Sequence, residues 1–230
     1  MWALASVARP FIPINFRHRI GVDVYIPEFN RVEDRAVTLS FMQANPFALL
    51  ISAADDGPFA THLPILAREV DGLLQLRGHV ARANPHWKSI NQDQESLVIF
   101  HGPHAYISPG LYEIRESVPT WNYAAVHVYG KGTVFTGADQ LDQFLQELIA
   151  QFDSSYAARW PSLSEQYRSR MVQHIMGFEI NASRVETKFK LSQNRTKNEQ
   201  ENVIKSLASS SDSAAAAVAT LMKDRGLGLP

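Results

Sequence analysis

The sequence predicts an α+β protein, a small antiparallel β-barrel carrying peripheral helices. Short apolar runs recur at close spacing, and the turn signals between them are too tight for crossover helices. The helical periodicities fall where they break any regular strand–helix alternation, which argues against a parallel sheet.

The elements follow in order. Val32, Ala36, Leu39, Phe41 and Met42 predict a helix over Val32 to Gln43, closed by Asn45-Pro46. Phe47 to Ala53 reads as a strand ending in the turn Asp55-Asp56-Gly57-Pro58. Phe59 to Arg68 reads as the second strand, and Asp71-Gly72 turns the chain into Leu73 to Val80. Ser96 to His101 is the fourth strand. Thr120 to Tyr129 and Thr133 to Thr136 are further strands, split at Gly130-Lys131-Gly132. Leu141, Phe144, Leu145, Leu148, Ile149 and Phe152 repeat at helical spacing. Ser162 or Ser164 can cap another helix through about His174, Phe178 to Val185 returns to strand character, and Asn198 to Leu207 is helical. Beyond Ser209 an alanine-rich helix is expected as a peripheral tail.

This pattern divides the chain into a flexible N-terminal extension over 1–23, a barrel domain over 24–208 and a helical tail over 209–230. The extension carries Arg9, Arg17, His18 and Arg19 with no acid before Asp23, and Pro10 and Pro13 interrupt any amphipathic helix. The 230 residues are 45% hydrophobic and 20% charged, an ordinary globular composition. With no cysteine there is no disulfide, thiolate metal site or cysteine nucleophile, and a cytoplasmic location is expected. A net charge of −1 supplies no field towards nucleic acid or anionic lipid. No apolar run approaches the roughly 18 residues of a membrane span.

Several segments can carry chemistry. Gly78-His79-Val80-Ala81-Arg82-Ala83-Asn84-Pro85-His86-Trp87 combines an imidazole, a guanidinium and a helix start within one bend. Asn84 can cap the free N–H groups of the next turn, and Pro85 suits the first helical position, so an anion could sit there beside Arg82. His79 can ligate a metal held in a flat macrocycle. The plainer reading is a strand-to-helix turn with a surface arginine. In Ala60-Thr61-His62-Leu63-Pro64, alternation turns His62 outward, or towards a partner subunit, if Leu63 faces the core. The stretch from His101 to Tyr129 is densest in polar and aromatic groups. Trp121 and Tyr123 offer flat faces for a stacked ring, and Asn122 can donate and accept. Lys188 to Arg195 supplies cations, of which Lys190 and Arg195 are candidates for a pocket rim. No Walker loop, Gly-x-Ser-x-Gly turn, Gly-x-Gly-x-x-Gly fingerprint or His-Glu-x-x-His motif is present, so in any enzymatic role a bound cofactor must supply most of the reactivity.

Taken together, Tyr25-Ile26-Pro27, Asn45-Pro46-Phe47, Ala60 to Pro64, Gly78 to Trp87, Gly102 to Pro109, Val118 to Tyr123, Gly177 to Ile180 and Lys190 to Arg195 resemble the PaiB-like FMN-binding negative transcriptional regulators, in the same order from about Tyr25 to Leu221. The resemblance implies a split β-barrel of the pyridoxine-phosphate-oxidase type, a homodimer, and FMN at the subunit interface. It makes Arg82 and Asn84 candidates for the phosphate end, and Trp121, Asn122 and Tyr123 candidates for the ring environment. It also implies a regulatory role, although no helix-turn-helix or basic recognition surface supports direct DNA binding. A second branch, the heme-dependent piperazate synthases, shares the Gly-His…Arg-Ala-Asn-Pro-His-Trp motif. It implies heme as the alternative cofactor and N–N bond formation as the alternative activity, with His79 as the axial iron ligand.

Overall fold

A computed structural model describes residues 24–54, 57–91 and 93–229; the extension expected over 1–23 lies outside the described residues. Asp34 caps the first helix, α1 (Arg35–Ala44), by accepting from the N–H groups of Ala36 and Val37. The strands are β1 (Phe47–Ala54), β2 (Gly57–Pro64), β3 (Leu66–Val70), β4 (Leu73–Ala81), β5 (Ser96–Ile107) and β6 (Thr120–Phe135). Three helices follow, α2 (Ala138–Phe152), the one-turn α3 (Ser154–Ala157) and α4 (Glu165–Gln173), then β7 (Ile175–Lys190), α5 (Lys197–Ala208) and α6 (Ser213–Asp224).

All strand pairings are antiparallel, in the order β2-β1-β5-β6-β7-β4-β3. β2 and β3 stand at opposite edges of this sheet, yet a single residue, Ile65, separates them in the chain. One residue can join two edges only if the sheet curls back on itself, and since no ladder joins β2 to β3 the barrel stays open along that seam. The run Phe59 to Arg68, expected as one strand, is therefore two. Pro64 ends β2 without a donor, and the Ile65 N–H bonds the Pro46 carbonyl (2.9 Å) instead of a ladder partner.

Three other strands are longer than expected. β5 runs on through His101 to Ile107, with Gly102 and Pro103 absorbed in a bulge. β6 is continuous across Gly130-Lys131-Gly132, where a Cβ on Gly130 would strike the Asn181 carbonyl. β7 extends at both ends; towards its C-terminus half-buried Lys188 and Lys190 alternate with buried Thr187 and Phe189.

Inward residues of all seven strands, among them Leu50, Leu63, Ala67, Leu76, Phe100, Val126 and Phe178, share one core with Phe41 and Met42 of α1 and Val203 and Leu207 of α5. The segment beyond Ser209 joins it too. Asp212 caps α6, and Ala215, Val218, Ala219 and Met222 are buried in the same core, so the expected tail is an integral layer. A separate small cluster, Phe135, Leu141, Phe144, Leu148 and Val172, holds α2 and α4 against the outside of the barrel.

Candidate functional site

Strand alternation sends Trp121, Tyr123, His127 and Tyr129 of β6 outward, while Ala124, Val126 and Val128 fill the barrel. On either side stand His101, His104 and Tyr106 of β5 and Lys188 and Lys190 of β7. Tyr106 lies opposite Trp121 and His104 opposite Tyr123, which in turn faces Lys190. The rings form a contiguous strip. His101 and His104 are 5.2 Å apart between ring centres, His104 and Trp121 6.0 Å, and Tyr106 and Trp121 5.9 Å. Trp121 and Tyr106 are each about half exposed (52% and 51%), unusual for large rings on adjacent strands and available for a further flat group.

Cations border the strip. The Lys188 ammonium lies 5.7 Å from the Tyr25 ring and 5.6 Å from the Tyr123 ring. Lys190 donates to the Trp121 carbonyl (2.7 Å) and to the Thr120 hydroxyl. Partial burial, and then the charges of Lys188 and Arg195, pull the Lys190 ammonium below the ordinary lysine range. The Arg195 guanidinium covers the Tyr112 ring at 3.8 Å. Among the described residues none of these three cations is ion-paired, so their field is open to an external anion. Further along β6, His127 has a buried Nδ1 with no hydrogen-bond partner among the described residues; burial, then Arg184 and Lys188, lower its proton affinity.

The remaining candidates occupy other places. His62 shares the outer surface at its β2 edge, through the row His62, Leu49, Ile99, His127, and stacks on exposed Phe47 at 6.2 Å. Asn122 points the other way. Fully buried, it donates to the Ser192 hydroxyl (3.0 Å) and to the Met222 sulfur (3.7 Å), which ties β6 to α6 beneath Trp121 and Tyr123. His79 faces α2, with its ring edge-on to Phe144 at 5.8 Å and a buried Nδ1 that has no hydrogen-bond partner among the described residues; burial lowers its pKa. Beside it Arg77 reaches Glu147 (2.5 Å) and Glu179 (3.6 Å).

The bend after β4 differs from the expected helix start. Pro85–Ser89 is a short 3-10 helix, too brief for an appreciable dipole. Arg82 donates to the carbonyls of Gln173 (2.8 Å) and Ile175 (3.5 Å), so its guanidinium fastens the end of α4 rather than standing free. Asn84 does cap, accepting from the His86 N–H (3.0 Å), and it also donates to Thr61 Oγ1 (3.3 Å). His86 forms the centre of a buried polar chain. Its Nδ1 meets Thr61 Oγ1 at 2.7 Å, its Nε2 meets Ser52 Oγ at 3.1 Å, and Ser52 reaches Ser96 at 2.8 Å. Sequence reasoning passed over Lys188, His104 and Tyr106 as site residues. The signal was available in the two-residue period of β7 and in the bulge that re-phases β5.

The described residues hold no group of three or more metal-ligating side chains, and no helix is long and apolar enough to cross a membrane. The family model described as "Putative FMN-binding domain" matches residues 24–184. Protease synthase and sporulation protein PAI 2 of Bacillus subtilis is 35% identical over 204 residues, covering 88% of this chain and 98% of that protein. Among solved structures, the flavocytochrome Anf3 of Azotobacter vinelandii superposes with a TM-score of 0.57 at 14% identity, over 70% of this chain and 69% of that one. The FAD and heme binding protein of Mycobacterium smegmatis gives 0.53 at 14% identity, over 70% and 73%. At that identity the structures establish the split-barrel fold alone. Two thirds of this chain matches the family model and nearly all of it aligns with the Bacillus protein; the chain therefore belongs to the PaiB-like family described as "Putative FMN-binding domain".

Proposed function

We propose that this protein binds FMN on the open face of β5, β6 and β7, as a homodimer in which the partner subunit closes the far side of the ring. One observation carries the reading. Half-exposed planar rings adjoin, on a single face of the sheet, cations that have no ion-pair partner among the described residues, the donor set that a flat ring ending in a phosphate requires. Trp121 and Tyr123 supply ring surface, Lys190 and Arg195 the positive charge, and Lys188 joins them. Asn122 acts from beneath by holding β6 to Ser192 and α6, which fixes the strand that presents both rings. His62 would line the rim nearest the β2 edge. Arg82 and Asn84 hold the β4 bend, and their part in phosphate binding is confined to the shape of that corner.

Bound flavin supplies electron transfer, and the protein's share is to orient the ring, exclude water and set its electrostatic surroundings. The neutral imidazole of His127 lies along the same strand, where it can hold or release a proton. A regulatory role in the cytoplasm is the biological context that the PaiB-like resemblance favours. The net charge of −1 gives direct DNA binding no support.

The surroundings of His79 do not fit heme. α2 lies over the imidazole and Phe144 packs edge-on against it, so ligation would require the helix to lift.

Titration of apo protein with FMN, followed by quenching of flavin fluorescence and by gel filtration, tests the proposal. Saturation at one FMN per chain in a dimer is the expected outcome. A strictly monomeric chain that takes up no FMN overturns it.

A further inference from the structure

Two imidazoles on the open face are left unused by the flavin reading. Residues three apart on a regular strand point to opposite sides, yet His101 and His104 both face outward and both are exposed. The bulge in β5 is the cause: Gly102 and Pro103 together stand opposite the single residue Ala124, between the pairs His101–Ala125 and His104–Tyr123. Pro103 stiffens this segment, and the ladder to β6 fixes it at both ends.

The resulting spacing has a chemical meaning. An imidazole nitrogen bound to zinc lies 2.0–2.1 Å from the ion, which puts the ring centre about 3.2 Å away, so two rings at a tetrahedral angle have centres about 5.2 Å apart. The observed separation is 5.2 Å. We propose that His101 and His104 chelate a divalent metal ion of the zinc class on the outer face of the barrel.

The ligand chemistry selects the ion. Imidazole nitrogen suits zinc, copper and nickel, whereas magnesium and calcium require oxygen donors that this pair lacks. Only the neutral ring binds metal. Burial, and then the charge of His104, lower the proton affinity of His101. Among the described residues neither ring is ion-paired. Lys190 stands two strands from His104 and Lys188 two strands from His101 in the ladder, each about 10 Å away at ordinary strand spacing. That is about one Debye length at moderate salt, so salt reduces their repulsion of a bound cation. Two protein nitrogens leave the other positions to water or to an oxygen donor on a small ligand, which makes the site open rather than structural.

Calorimetric titration of the full chain with zinc chloride near neutral pH, without flavin, tests the assignment independently of the FMN reading. Saturation at one zinc per chain is expected. His101→Ala and His104→Ala should each weaken binding by at least about tenfold, since loss of a mere supporting partner already costs ten- to a hundredfold. His174→Ala, an exposed histidine on the far side of β7's start, should bind as the parent does. Both ring variants are at exposed positions, and circular dichroism is the check that they fold. No saturable binding by the parent protein, or parent-like binding by both ring variants, overturns the proposal.

Discussion

Two outer surfaces of one barrel lead opposite lives. On β6 the outward residues Trp121 and Tyr123 remain at or near solvent; on β4 the outward residues Arg77 and His79 lie beneath α2, packed with Phe144, and Arg77 is ion-paired to Glu147 and Glu179. The same alternation made both rows, and what separates them is whether a helix with an apolar stripe returns to cover the strand. The lesson concerns motifs. The densest motif, Gly78 to Trp87, is mostly spent on construction, with Arg82 fastening α4, Asn84 capping a short turn and His86 joining three strands through hydroxyls. The open face draws its rings and cations from three strands far apart in sequence.

The sharpest way to break this contrast is to uncover the closed side. Phe144 is fully buried and touches Phe135, His79 and Arg77 together. Phe144→Ala should lower the unfolding free energy by about 3–5 kcal/mol, measured by urea denaturation. FMN affinity of the folded variant should be unchanged. A folded variant that has lost FMN would mean that the ring site lies under α2, and the contrast between the two faces would be reversed.

The converse substitution acts on the open side. Trp121 is 52% exposed, so Trp121→Ala should change stability by no more than about 0.5 kcal/mol. Loss of a stacking surface for a ring costs about 1–3 kcal/mol, a drop of about 5- to 150-fold in FMN affinity, read by fluorescence titration. Unchanged affinity would remove the tryptophan from the ring environment.

How much of this was legible follows the same division. Barrel class, α1, α2, α5 and the hairpin at Asp71-Gly72 were readable because each is encoded locally, in a period, a cap or a turn. The break at Ile65 was not, because it depends on the sheet curling until its two edges meet. The outer row of β7 was readable in principle: Glu186, Lys188 and Lys190 alternate with the β-branched or aromatic residues Val185, Thr187 and Phe189, but charge density disguised the strand as solvated surface. Trp121 and Tyr123 could be named from sequence, whereas the inward turn of Asn122 depends on what α6 brings against β6. His79 shows the limit most plainly. Its motif suggests a ligand, and only tertiary packing reveals the helix that covers it.

The smallest expected effect separates the two faces by pH. His79 sits on the closed side, where burial alone lowers its folded pKa from 6.5. The unfolded chain therefore takes up a proton near pH 6.5 while the folded chain resists until lower pH. Stability is complete above pH 6.5 and falls as the solution is acidified through the window down to the folded pKa, by at most about 1.4 kcal/mol per pH unit for one group. His86, also lowered by burial, acts in the same direction. Replacing His79 with phenylalanine removes one titrating group and keeps an edge-to-face ring against Phe144, so the slope of unfolding free energy against pH should flatten below pH 6.5. A slope equal to that of the parent protein would mean that α2 admits water and a proton to the imidazole in the folded state. The covered strand would then be no more closed than the open one, and the difference between the two faces would lie in their chemistry rather than in their burial.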